Sequence, residues 1–159
     1  MSIRIEILDY VNDGTAAANI IDDPTFTNAA NWSTGSFWNV SGGSATHSAN
    51  GAGIASNILQ TTNFSGGNLQ VNKRYRLTYT ISNSNNTGAM YLYLHQGVTN
   101  LSLGIVNGTH TIEWQQGPFL IDTIQIYATG DFAGDIDSLY VYPLDRDWET
   151  IPNDKFITP

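Results

Sequence analysis

The chain has 159 residues, with six Lys and Arg against fourteen Asp and Glu, a net charge of -8, and no cysteine. So few bases disfavour general nucleic-acid binding, which needs cationic contacts to phosphate, and the missing cysteines exclude thiol catalysis, disulfides and cysteine-ligated zinc. Only 13% of residues are charged, and Gly, Ser, Thr and Asn fill the gap, a balance that suits one turn-rich β domain better than a helical bundle.

At the start, SIRIEIL (2–8) alternates Ile3, Ile5 and Ile7 with Arg4 and Glu6, a strand pattern. Glu6 and Asp9 interrupt the apolar run, so no cleaved signal peptide is expected there. GTAAANII (14–21) is the best helical stretch, but isolated helices this short are marginal, and an irregular arm fits equally. Residues 1–19 are therefore read as an N-terminal arm or first strand. Residues 41–57, SGGSATHSANGAGIASN, are small and flexible in composition, and a short strand within a long loop is expected.

RYRLTYTIS (74–82) is the cleanest half-buried strand, with Tyr75, Leu77, Tyr79 and Ile81 on one side. AMYLYLHQ (89–96) follows and is apolar on both faces. NLSLGIV (100–106) and THTIEWQQ (109–116) come next, and the Asn107-Gly108 pair between them reads as a type I′ hairpin turn. LIDTIQIYAT (120–129) and DSLYVYP (137–143) complete the set. Short strands at this spacing, separated by turn clusters, predict an all-β antiparallel sandwich over residues 20–144. LDRDWETIPNDKFITP (144–159) has no periodicity, but it carries two prolines, Trp148 and Phe156. Residues 145–159 are read as a C-terminal assembly arm anchored by those two aromatics. No apolar run approaches the ~20 residues of a membrane helix, so no membrane partner is expected.

Charge is unevenly placed. Residues 1–24 carry five acids and one base, residues 25–112 three bases and no acid, and residues 113–159 nine acids and two bases. Asp131, Asp135 and Asp137 gather just before the last strand pattern. A metal site, a catalytic carboxylate pair and turn-capping are the three readings of that cluster. Catalysis is the weakest. Glu113 is the lone acid between residues 24 and 121, His47, His95 and His110 lack metal or triad spacing, and no G-x-S-x-G occurs. The chain is read as a non-enzyme. Six N-x-[ST] sequons match what an Asn-, Ser- and Thr-rich chain produces by chance.

The aromatics carry more. Tyr91, Tyr93 and Trp114, with Gln96 and Gln116 nearby, form a candidate binding set: sugar rings stack their C–H faces on aromatics while amides hold hydroxyls. The competing reading is core packing, since aromatics supply much of a small β core. An exposed apolar face would equally suit a protein–protein contact.

Three stretches taken together resemble a known family. DPTFTNAANWSTGSFWNVSGGSATHSANG (23–51), KRYRLTYTISNSNNTGAMYLYL (73–94) and GDFAGDIDSLYVYPL (130–144) are similar in order to the jelly-roll, galactose-binding-like domains related to family 4/9 carbohydrate-binding modules. They are especially like the versions found in bacteriophage tail-fibre, head-fibre and capsid-accessory proteins. The resemblance implies a jelly roll with Trp32 and Trp38 in its core. It also implies a structural calcium held where the early segment meets the closing strand, here by Asp137 with Asp22 or Asp23, a donor type that suits a hard cation. Thr27 and Asn28 stand where the family usually has an acid after the early Phe. The function implied is that of a phage virion structural protein, a capsid decoration or fibre component. It would bind capsid or fibre subunits, or sister copies, inside the virion. The alternative is a carbohydrate-binding module that attaches a particle or enzyme to surface glycans.

Overall fold

The computed structural model describes residues 18–51, 58–61, 64, 69–94, 98–118 and 122–144. The strand pattern at 2–8, both terminal arms with Trp148 and Phe156, and His95 and Gln96 lie outside the described residues. Among the described residues ten strands form: β1 (Ser33–Thr34), β2 (Trp38–Ser41), β3 (Ser44–His47), β4 (Ile58–Thr61), β5 (Arg74–Ser82), β6 (Met90–Leu94), β7 (Val98–Leu103), β8 (Gly108–Gln115), β9 (Ile124–Ala128) and β10 (Gly134–Leu144). Among the described residues the helical content is one 3₁₀ turn, Ala29–Asn31, and no helix is long and apolar enough to cross a membrane.

The strands build two five-stranded sheets, ordered β1-β4-β9-β6-β7 and β2-β3-β10-β5-β8. Every strand pair is antiparallel. The fold is an antiparallel β-sandwich of jelly-roll type. Alternation decides which side chains meet between the sheets. In β5 the odd residues Tyr75, Leu77, Tyr79 and Ile81 go inward, and in β6 the even residues Met90, Leu92 and Leu94 do. Ile124, Ile126, Ile136, Leu139 and Val141 complete the middle of the core. Each such apolar side chain contributes roughly 1.5–3 kcal/mol on burial. Trp32 and Trp38 are core residues, and Trp32 packs on Phe26 with centroids 4.6 Å apart.

The short strand expected within residues 41–57 is β3 (Ser44–His47), and it forms a tight hairpin with β2. β2 and β3 pair from Trp38–His47 to Ser41–Ser44, and Gly42 and Gly43 sit at φ 63° and 91°. Positive φ at both central residues is what a type I′ turn demands, and glycine supplies it without steric cost. The Asn107-Gly108 expectation fails for a nonlocal reason. β7 and β8 belong to different sheets, so the chain crosses the sandwich there rather than folding back beside itself. Asn107 Oδ1 instead accepts from Ser84 N at 2.8 Å. Residues 18–21 are not helical, and Ile21 bridges Phe64.

The first and last described segments lie side by side. Ile20 N donates to Val141 O at 2.9 Å, and Val141 N donates to Asn19 Oδ1 at 2.9 Å.

Candidate functional site

β6 and β9 are neighbours in the first sheet, and their inward residues are all apolar. The residues between them face out: Tyr91 and Tyr93 from β6, Gln125 and Tyr127 from β9, all half-buried. The register sets Tyr91 opposite Tyr127 and Tyr93 opposite Gln125. The Tyr91 and Tyr127 rings lie 6.2 Å apart, tilted by 39°. β7 adds exposed Ser102 opposite Tyr91. On the other side, Gln60 of β4 occupies the register position opposite Gln125, and Ser33 of β1 the one opposite Gln60. The result is a tyrosine-bearing strip that crosses the sheet and is flanked by amide and hydroxyl residues. Half-burial of three phenol rings fixes their orientation while leaving part of each ring in water.

Sequence reasoning reached Tyr91 and Tyr93 but missed Tyr127 and Gln125. A signal for them was present. In TIQIYA (123–128) the isoleucines alternate with Gln125 and Tyr127, the same parity that separates Leu92 from Tyr91 and Tyr93.

Two members of the expected set belong elsewhere. Trp114 and Gln116 come from the end of β8, in the opposite sheet, and are 7% and 1% exposed. Trp114 stacks on Tyr75 at 5.5 Å, and the Gln116 backbone pairs with Lys73 and Asn72. The cause is parity: β8 turns His110, Ile112 and Trp114 toward the core to cover that end of β5. The structure therefore does not bring Tyr91, Tyr93, Trp114 and Gln116 onto one face.

The early segment does meet the closing strand, with Leu139 N donating to Pro24 O at 2.8 Å. Asp23 is otherwise engaged. It is 4% exposed. Its Oδ1 accepts from Thr27 N (2.9 Å) and Thr27 Oγ1 (2.8 Å), and its Oδ2 from Asn28 N (2.9 Å) and Trp32 Nε1 (3.2 Å). A carboxylate has about four lone-pair sites, and here all are taken by protein donors. Burial pushes the Asp23 carboxyl up, but these hydrogen bonds outweigh it and hold the group below its ordinary value of 3.8. Asp22 is exposed, and Asp137 accepts from Ser82 Oγ at 3.0 Å. Among the described residues no three His, Cys, Asp or Glu side chains gather as a metal site. Asp23 has no acceptor position left for a cation, and it instead organises the loop that seats Phe26 at φ 55°.

Around the start of β10, the Asp135 carboxylate and the Asp131 backbone carbonyl clamp loops. Asp135 Oδ2 accepts from Asn83 Nδ2 at 2.6 Å, and Asp131 O accepts from Asn85 Nδ2 and Thr87 Oγ1, both at 2.8 Å. Together they pin the β5–β6 connection to the turn before β10. Glu113, the lone acid of the middle, is bound by Arg74 and Arg76. None of these carboxylates forms the cleft-facing pair that glycoside hydrolysis needs.

No family model matches the chain, and no curated protein does. Among solved structures it is similar to the mannan-binding module from Man5C, at 16% identity over 74% of this chain and 96% of that one, with a TM-score of 0.48. It is also similar to that module in its bound conformation, at 16% identity and a TM-score of 0.45. A third similar structure is a CBM4 module, at 16% identity over 79% of this chain and 97% of the other, with a TM-score of 0.46.

Proposed function

We propose that the protein is a non-catalytic carbohydrate-binding module that holds a neutral glycan chain across the outer face of the first sheet. The observation that carries this reading is the convergence of Tyr91, Tyr93 and Tyr127 on one outward strip beside Gln125. Pyranose C–H faces would stack on the phenol rings, while amide and hydroxyl groups would bond the sugar hydroxyls. Neighbouring strands are ~4.8 Å apart, so side chains of adjacent strands would reach successive parts of one chain. The virion-assembly reading rests on the phage-like cast of the jelly-roll sequence, on the lack of an expected signal peptide, and on the terminal arms, which lie outside the described residues.

The test is affinity electrophoresis against mannan, mixed-linkage glucan and xylan, followed by calorimetry on any that bind. Tyr93→Ala and Tyr127→Ala should each weaken binding about tenfold, the size of a typical aromatic anchor, and leave the melting midpoint within a degree or two. Failure of the wild type to bind any neutral glycan would sink the proposal.

A further inference from the structure

The outer face of the second sheet has a separate feature. Among the described residues, the only Lys and Arg side chains are Lys73, Arg74 and Arg76, all at one end of β5. The register lines up Tyr142, Arg76 and Glu113 in one row across three strands. Glu113 Oε1 accepts from Arg76 Nε at 3.0 Å and Nη2 at 2.8 Å, and its Oε2 accepts from Arg74 Nη2 at 2.9 Å. One carboxylate thus steadies two guanidiniums. With Lys73 beside them, three bases face one acid at this corner, a surplus of two positive charges. Beside them the rings of Tyr140 and Tyr142 run nearly parallel, 6.1 Å apart and 12° from coplanar.

We infer that this corner is a second sugar site, on the sheet opposite the tyrosine strip, for a glycan that carries a single acidic sugar. The pyranose stacks on Tyr142, and its carboxylate lies on Arg76, one strand spacing away. A guanidinium fork matches a carboxylate better than an ammonium does, and Glu113 has already fixed the forks, so less side-chain entropy is lost on binding. The charge balance selects one acid rather than many. The local excess is only two positive charges, from Lys73, Arg74 and Arg76 against Glu113, whereas the whole chain carries -8, so a long polyanion meets repulsion beyond its first contacts. The site shares no residue with the tyrosine strip and stands whether or not that strip binds sugar.

The experiment is calorimetric titration of the full chain with a trisaccharide ending in glucuronic acid and with its glucose-ended counterpart. The acidic form should bind about tenfold tighter, the usual weight of one charge-assisted hydrogen-bonded pair. Arg76→Gln should erase that preference and Arg76→Lys should restore part of it, while Tyr93→Ala should leave it intact. Tyr142→Ala should weaken both sugars. Arg76 is 47% exposed on its side chain, so these variants should fold, which circular dichroism will check. Equal affinity for the two trisaccharides, or a preference that survives Arg76→Gln, overturns the inference. So does equally tight binding of an acidic peptide, or tighter binding of a polyuronate than of the single acid.

Discussion

Replacing Asp23 by alanine removes the acceptor of four hydrogen bonds at once. Thr27 and Asn28 are exposed, so their donors can turn to water and the net loss there is small. Trp32 is buried, and an orphaned indole N–H at such a site costs about 1–3 kcal/mol. The same network holds Phe26 at positive φ, a conformation that costs about 1–3 kcal/mol and persists only when its surroundings enforce it. Asp23→Ala is therefore expected to destabilise by about 3 kcal/mol, a fall of roughly 6–12 °C in the melting midpoint for a domain of this size. Asp23→Asn keeps the shape, but its amide NH₂ would face Asn28 N and Trp32 Nε1, donor against donor, and about 2 kcal/mol should be lost. Thermal unfolding followed by circular dichroism measures both. The pH dependence adds a second check. The folded carboxyl titrates below its unfolded value, so its stabilisation is complete above the unfolded pKa and disappears as pH falls through the lowered one. The gap between wild type and Asp23→Asn should close across that acid window, and a chelator should leave the wild-type midpoint unmoved. An Asp23→Ala variant within about 0.5 kcal/mol of wild type, the range of an ordinary surface change, would refute the reasoning.

Gly88→Ala should be strongly destabilising. Its φ is +76°, and an added Cβ would stand 2.5 Å from Thr129 Oγ1 and 2.6 Å from Phe132 N; chemical denaturation should show a loss above about 2 kcal/mol. Alkali should also weaken the fold. Burial pushes the Tyr79 phenol, which donates to Gly104 O, up to about 12, while the unfolded chain releases that proton near 10. Stability should therefore be intact below pH 10 and fall as pH rises toward 12. Tyr79→Phe should flatten that part of the profile.

The strands were legible where one strand carried its own evidence. β5 was readable in full because Tyr75, Leu77, Tyr79 and Ile81 alternate without a break. The β2–β3 hairpin was hidden by small residues, although Gly42-Gly43 between two four-residue alternations is a turn signal. Which strands pair was not legible. Asn107-Gly108 has the chemistry of a hairpin turn, yet the apolar faces of β7 and β8 close on the core from opposite sheets. The site was half legible for a related reason. Alternation separates the two faces of a strand but does not say which one meets the core. In β8 the Trp114 face is the inner one, and in β6 the tyrosine face is the outer one. The role of Asp23 was not legible because a carboxylate next to a turn has the same sequence signature whether it binds a cation or its own backbone.

The adjacency of Ile20 and Val141 also has a mechanical consequence. Asn19 and Ile20 lie beside the C-terminal half of β10, so a load applied between Asn19 and Leu144 would peel β10 from its C-terminal end, opening one hydrogen bond after another. Strands loaded that way yield at low force, whereas sliding a whole ladder breaks many bonds together. A tether joined at those two residues would act as a compliant link that unravels early. A pull between the Ser84 loop and the C-terminal end of β10 would instead load the β5–β10 ladder along its length. Optical-trap unfolding in the two geometries should give a distinctly lower force for the first.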